Sequence, residues 1–515
     1  MRYCLLLMSI GLHCQSACMA EEQVVPTPRP IPLTRPIMKE QLEDLKGRSP
    51  RIPLPAVPEE TVAGDLRHFS YEMRLREAYL PPGSPSVVYA NLLPPPGTRP
   101  ADSTPPRTRD FTRNADEAMT LSYAFKTRLF WIVSRVNNCH YCLGHQEQKL
   151  SAVGMSDEQI ATLDLDWLQH PAHERPAFAY ARRLTWEPHL IEDADFVELR
   201  AHYTDLQILE MTLSIAWNNA INRWKEGLGV PQSQHGEMFF RNRSPDIPVD
   251  RLLPVDTFLT PTAPEHRAAR SIVVAAAEPE LAAPKLAQGA TSRPQLESTD
   301  DVRSHLAAAA TRHARFPLVD EVTARERLGT NAPAGSLPNF VLLLANFPND
   351  GGGRVPALLE LTSDTGVLTS LQKAQVAWLV ARQDRAWYAV GQAYARLREL
   401  GQSDEQIFLL DGDRSHLPAL DRAILNFAGQ LAMSPIALTD EQFAELLALS
   451  NPETCVQLVN YVAGRVYFNR VTEAAGLPAG GGHRSLKPGL TDHSVAGMLV
   501  SDGGTHGLTA ISGTR

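Results

Sequence analysis

Val153-Gly154-Met155-Ser156-Asp157-Glu158-Gln159-Ile160 returns in altered form as Leu400-Gly401-Gln402-Ser403-Asp404-Glu405-Gln406-Ile407, 247 residues further along the chain. The same spacing aligns Trp131 with Trp378, Arg135 with Arg382, Tyr141 with Tyr388 and Gly144 with Gly391. It also aligns Pro188 with Pro435, Phe196 with Phe443, Asn222-Arg223 with Asn469-Arg470, and Pro231 with Pro478. A spacing that holds without gaps over about a hundred residues marks a duplication, so the two halves are expected to share one fold.

Both copies carry helical periodicity. Leu129, Ile132, Val133 and Val136 recur at i, i+3, i+4 and i+7, one apolar stripe on a helix, and Val376, Leu379 and Val380 repeat most of it. The next helix is expected from Asn138 to Ala152, stopped by Gly154. Ser156 with Gln159, and Ser403 with Gln406, are capping-box pairs that open a further helix. Asp193 to His202 and Leu206 to Lys225 continue the pattern, closed by Gly227 and Gly229. Strand-length alternation is scarce. The expected fold is all-α, with two tandem helical domains at 61–245 and 331–480. Prolines crowd the flanking segments, which read as a Pro-rich linker at 21–60 and a Pro/Ala-rich linker at 246–330. The tail at 481–515, rich in Gly, Ser, Thr and His, is expected to be disordered, and its His483, His493 and His506 are too scattered for a metal site.

The chain has 515 residues, 43% of them hydrophobic, enough for two or three domains with cores of their own. A net charge of −9 without a long basic run argues against nucleic acid as a partner. Residues 1–20 read as an export signal: Arg2, an apolar stretch from Cys4 to Leu12, then small residues up to Ala20. The destination is periplasmic or extracellular, with lipidation of Cys18 as the alternative. That stretch is too short to cross a bilayer and no later one is long and apolar enough, so no membrane span is expected. Of the six cysteines, Cys4, Cys14 and Cys18 would leave with the signal, and Cys139, Cys142 and Cys455 would remain in an oxidising compartment.

The chemistry concentrates in Asn137-Asn138-Cys139-His140-Tyr141-Cys142-Leu143-Gly144-His145. With Asn138 as N-cap, Cys139 falls in the first turn and Cys142 on the same face. Amide groups at a helix start favour a thiolate, so a lowered thiol pKa is expected. His145, three residues past Cys142, is the candidate base. Zinc held by Cys139, Cys142 and His145 is the rival reading, but a structural site wants four ligands. Haem attachment needs a His directly after the second Cys, and Leu143 stands there. In the second copy Cys139 becomes Ala386, Cys142 becomes Ala389 and His145 becomes Gln392, so that copy reads as structural or as a binding surface. Cys455, aligned with Ile208, reads as a buried small hydrophobe. Trp131, Trp217, Trp224 and Tyr141 read as core, with Tyr141 and Trp131 as candidate lining of a substrate pocket. Asn222 and Arg223, repeated in the other half, suggest a helix–helix contact.

At Asn137 to His145, preceded by Arg128-Leu129-Phe130-Trp131-Ile132-Val133-Ser134-Arg135, the sequence resembles the carboxymuconolactone decarboxylase and alkylhydroperoxidase D-like superfamily. The resemblance covers most of 61–235 and, more weakly, 335–480. It implies an all-helical fold that oligomerises, or here pairs its two repeats, and a redox branch that reduces peroxides through its Cys-x-x-Cys with help from a Glu and a His. Thr127 stands where that Glu is found, and Gln146 where the His is found, one residue past His145. The expected function is an exported, peroxidase-like thiol oxidoreductase acting on peroxide or a disulfide, with no cofactor beyond the dithiol and an external electron donor. The alternatives are a lactone decarboxylase-like lyase and a non-catalytic helical scaffold.

Overall fold

The computed structural model describes residues 114–165, 167–230, 296–412 and 414–479, with scattered positions between 38 and 81. The expected export signal at 1–20, with Cys4, Cys14 and Cys18, and the His-bearing tail lie outside the described residues. Among the described residues the regular structure is helical throughout.

The first copy runs α1 (Tyr123–Val136), α2 (His140–Ala152), α3 (Asp157–Leu165), α4 (Glu174–Trp186), α5 (Asp193–Arg200) and α6 (Asp205–Leu228). Next come α7 (Thr299–Thr311), α8 (Glu321–Leu328), α9 (Asn339–Leu344) and α10 (Pro348–Glu360). The second copy runs α11 (Ser370–Asp384), α12 (Trp387–Glu399), α13 (Asp404–Leu409), α14 (Ala419–Met433), α15 (Asp440–Leu449) and α16 (Pro452–Ala474). The bounds of α2 and α12, and those of the short 3₁₀ turns Pro188–Leu190 and Pro435–Ala437, coincide at the 247-residue spacing.

Local chemistry sets these ends. The Ser156 and Gln159 side chains bond each other's backbone N–H, and Ser403 and Gln406 do the same. Thr204 with Gln207 and Thr439 with Gln442 open α6 and α15 likewise. Gly229, with φ +62°, closes α6 in the left-handed conformation that a Cβ disfavours. Gly227, read as a terminator, lies inside α6. A Cβ there would sit 3.0 Å from Val459 Cγ1, so the glycine serves close approach of α16 rather than helix ending.

Helix α1 packs on α2, α4 and α6, and α11 packs on α12, α14 and α16. The two long helices α6 and α16 pack on each other and join both copies into a continuous core. Flanked on both sides, each is buried along most of its length.

The linker reading fails from residue 296 onward. Val302, Leu306 and Ala309 of α7 are buried, and a Ser298–Asp301 capping box starts that helix. The stretch reads as linker because it is alanine-rich, yet alanine is the strongest helix former. Part of 21–60 is packed as well. Met38, Leu42, Leu45 and Ile52 are buried, as are Val302, Leu306, Ala309 and Phe316, which lie 264 residues further along. Arg48 and Arg51 match Arg312 and Arg315 at that second spacing, so the duplication reaches upstream of the region that aligns at 247.

These arginines clasp the copies reciprocally. Arg51 donates to the Glu226 carbonyl at 2.7 Å within its own copy, and to Asp440 Oδ1 at 2.7 Å and the Leu438 carbonyl at 2.8 Å in the other. Arg315 donates to the Glu473 carbonyl at 3.3 Å, and across to Asp193 Oδ1 at 2.8 Å and the Ile191 carbonyl at 3.2 Å. Asp193 and Ile191 align with Asp440 and Leu438. Deeper in, Arg223 donates to the Ala432 carbonyl at 2.8 Å and Arg470 to the Thr185 carbonyl at 2.7 Å, again aligned positions. Each contact has its mirror, the pattern of a two-fold dimer interface, here within one chain.

Arg470 pairs with Asp384 at 3.2 Å, with both side chains 1% exposed. Arg470→Met leaves that carboxylate buried without its cation, and an expected loss of about 3–5 kcal/mol follows. Urea unfolding measures it. A loss no larger than that of an exposed ion pair, about 1 kcal/mol, contradicts the assignment.

Candidate functional site

The site begins where α1 ends. Asn137 donates to Asn219 Oδ1 at 3.0 Å and Asn222 Oδ1 at 2.8 Å, and accepts from Arg223 Nη1 at 3.1 Å, which ties the helix end to α6. Asn138 follows with φ +51°, and Arg385 holds the aligned position in the second copy with φ +49°. Asn138 is therefore not the N-cap. Asparagine tolerates the left-handed turn, and the capping role passes to Cys139, whose Sγ accepts the Cys142 N–H at 3.4 Å.

Cys139 and Cys142 are free thiols, 0% and 2% exposed. The expected fall in thiol pKa does not occur at Cys139. Burial pushes it well above the ordinary thiol range, the Cys142 sulfur and the Glu226 carboxylate push the same way, and only the Cys142 N–H pulls down. The magnitudes explain the order. A helix start is worth up to about 2 kcal/mol, whereas full burial of a charge shifts a pKa by as much as 3–5 units.

His140 is buried beside the thiols, and burial lowers it to about 4 against the opposing pull of Glu226. It is neutral at pH 7. His145 Nδ1 lies 3.0 Å from the Tyr141 carbonyl, and its ring stacks on Tyr141 at 4.3 Å. The Lys225 ammonium sits 4.0 Å from the centre of the Tyr141 ring, on a nearly buried aromatic. Gln146 donates to the Cys142 carbonyl at 3.3 Å. Thr127 donates to the Tyr123 carbonyl at 2.8 Å, within its own helix. Trp131 is fully buried and donates to Glu147 Oε1 at 2.7 Å.

Glu226, unmarked in the sequence reading, is the carboxylate whose charge reaches both Cys139 and His140. It is 2% exposed. Oε2 accepts from Arg48 at 3.1 Å, and Oε1 is buried without a hydrogen-bond partner. The 247 spacing could have found it, because it aligns Glu226 with Glu473. Glu473 accepts the Trp387 N–H at 2.9 Å and both terminal nitrogens of Arg312, at 2.7 and 3.2 Å. Trp387 aligns with His140, so Glu473 sits at the start of α12.

The second copy lacks the chemistry. Ala386 caps α12 with no side-chain bond, and Trp387 stacks on His305 at 4.3 Å. Cys455 is buried, its Sγ 3.8 Å from Ser450 Oγ, and burial pushes its thiol up to about 11. Among the described residues no group of three or more His, Cys, Asp or Glu side chains could hold a metal ion. The chain matches no protein-family model and no curated protein.

Two outcomes follow. Alkylation of Cys139 by uncharged iodoacetamide is expected to be slow at pH 7 and to climb steadily beyond pH 9. A plateau below pH 8, followed by mass spectrometry of the labelled peptide, contradicts the burial. His140 is depressed in the folded chain, so the unfolded chain binds its proton first. Between pH 6.5 and about 4 stability is therefore lost on acidification, by about 3 kcal/mol from this group. Urea midpoints at both ends of that range check it: His140→Gln should shrink the difference, and an unchanged difference contradicts it.

Proposed function

We propose that the chain is a peroxidase-like thiol oxidoreductase built from tandem alkylhydroperoxidase D-like copies, of which only the first carries the redox pair. The observation that carries this reading is the placement of two free thiols three residues apart at the start of α2, where the Cys139 Sγ accepts the Cys142 N–H at 3.4 Å. One sulfur attacks the O–O bond of a hydroperoxide, the alcohol leaves, and a sulfenic acid forms. The second thiol displaces water from it and closes the Cys139–Cys142 disulfide. Two thiols and one hydroperoxide thus give one disulfide, one alcohol and one water. An external dithiol restores the pair by thiol–disulfide exchange.

Burial favours a small oxidant over a protein disulfide, since both sulfurs are shut away from a bulky partner. It also favours a second reading, in which the paired copies form a scaffold without turnover. No helix among the described residues is long and apolar enough to cross a membrane. Export rests on the sequence of residues 1–20.

Stopped-flow consumption of hydrogen peroxide with excess dithiothreitol separates the two readings. The parent should turn over, and Cys139→Ser and Cys142→Ser should each lose at least about 10²-fold, because each removes a bond-forming group. Equal rates in parent and both variants, or no peroxide consumption by the parent, contradict the redox reading.

A further inference from the structure

Arg465 differs from the other buried arginines. It lies midway along α16 and is 4% exposed, yet its Nε and Nη2 are buried without a hydrogen-bond partner. Elsewhere in the chain those two atoms act together on a carboxylate. Arg354 donates from Nε and Nη2 to the two oxygens of Asp350 at 2.7 and 2.9 Å, and Arg135 does the same to Asp164 at 2.8 and 3.0 Å. The pair forms one planar edge of the guanidinium, spaced to meet both oxygens of a carboxylate. On Arg465 the same edge has no acceptor among the described residues. Burial disfavours its charge, and the opposing pull comes from the Tyr461 phenol, which already donates to the Lys373 carbonyl at 2.9 Å. A buried cation without an anion costs several kcal/mol. The surroundings are aromatic. Arg465 Cζ sits 4.9 Å from the centre of the Phe468 ring, which packs on Phe340 at 5.3 Å and on Tyr388 of α12 at 5.9 Å. The 247 spacing aligns Arg465 with Asn218 of α6, 0% exposed, whose two amide atoms are also buried without partners. Each copy thus places a polar side chain without a partner at the same point of its long helix, and in the second copy that side chain is charged.

We propose that Arg465 anchors a binding site for a small organic monocarboxylate in the second copy, with Nε and Nη2 donating to the two carboxylate oxygens and the apolar body of the ligand lying on the aromatic side, towards Phe468. The occupant carries one charge, because one guanidinium balances one, and a dianion would leave the other buried among aromatic rings. It is small, because a residue 4% exposed is shut away from a protein segment. The site stands apart from the redox reading, since it lies in the copy without the Cys-x-x-Cys pair.

The proposal separates a ligand-binding arginine from one that merely packs on Phe468. The experiment uses the full chain as parent, R465M and R465K, with sodium acetate, sodium benzoate and sodium sulfate at equal ionic strength. Isothermal titration calorimetry measures binding, and urea unfolding measures stability. Expected is saturable binding of acetate or benzoate by the parent, one per chain, with a urea midpoint that rises with the carboxylate and not with sulfate. R465M should bind neither carboxylate. R465K keeps the charge but loses the planar edge, so its affinity should fall about 10–10²-fold, the worth of one charge-assisted hydrogen bond. In carboxylate-free buffer R465M should unfold at the parental midpoint or above it, because methionine removes an unpaired buried charge while keeping the packing. A packing arginine would give the opposite result, a lower midpoint in R465M. Circular dichroism identifies a variant that fails to fold, and R465K then carries the test. Overturning results are no saturable binding of either carboxylate by the parent, equal binding by parent and R465M, parental affinity in R465K, sulfate raising the midpoint as much as the carboxylates, or a folded R465M less stable than the carboxylate-free parent.

Discussion

Everything in this molecule depends on buried arginines that end on backbone carbonyls across the interface between the copies. Arg223 and Arg470 cross at aligned positions, and Arg51 and Arg315 close the outer layer around Phe443 and Phe196. A guanidinium carries five donors in a rigid plane, so one side chain can satisfy carbonyls from two elements at once. Helix ends supply those carbonyls, because their last C=O groups have no partner within the helix. The clasp therefore solves two problems together: it satisfies the ends of α6 and α16, and it fixes how the copies meet.

This arrangement explains what a thiol-free copy contributes. Its long helix covers α6, and Asp440 and Leu438 hold the arginine that secures the end of α6 bearing Glu226. The second copy kept what the interface needs, namely Asn469, Arg470, Glu473 and Phe443, and lost the sulfurs. Its own Glu473 caps a helix and pairs with Arg312. The same glutamate thus sits in two settings, one with both oxygens bonded, the other with one oxygen held by Arg48 and one without a partner.

Much of this was legible in the sequence, for physical reasons that differ by residue. The 247 spacing and the Ser156–Gln159 box are local patterns, and local patterns survive without knowledge of packing. The inner arginines, Arg223 and Arg470, repeat at 247 and read as a helix–helix contact, but the outer pair was not legible, because Arg51 and Arg315 repeat at 264 and sit in proline- and alanine-rich segments that resemble linkers. Asn138 was misread by one residue, since a cap and a left-handed turn both suit asparagine. The direction of the Cys139 shift was missed because the helix-start effect is local and weak, while burial is imposed by distant elements. Glu226 carries no mark in the sequence apart from its alignment with Glu473. Its partner Arg48 lies 178 residues away.

The most direct measurement is a redox equilibrium of the full chain in buffers of reduced and oxidised dithiothreitol, with thiols counted by mass spectrometry. The expected result is a reversible two-electron transition that joins Cys139 to Cys142 and leaves Cys455 reduced throughout. Thiols that stay reduced in the most oxidising buffer, or a disulfide that forms only after the chain has unfolded, contradict the view that this buried pair exchanges electrons in the native molecule.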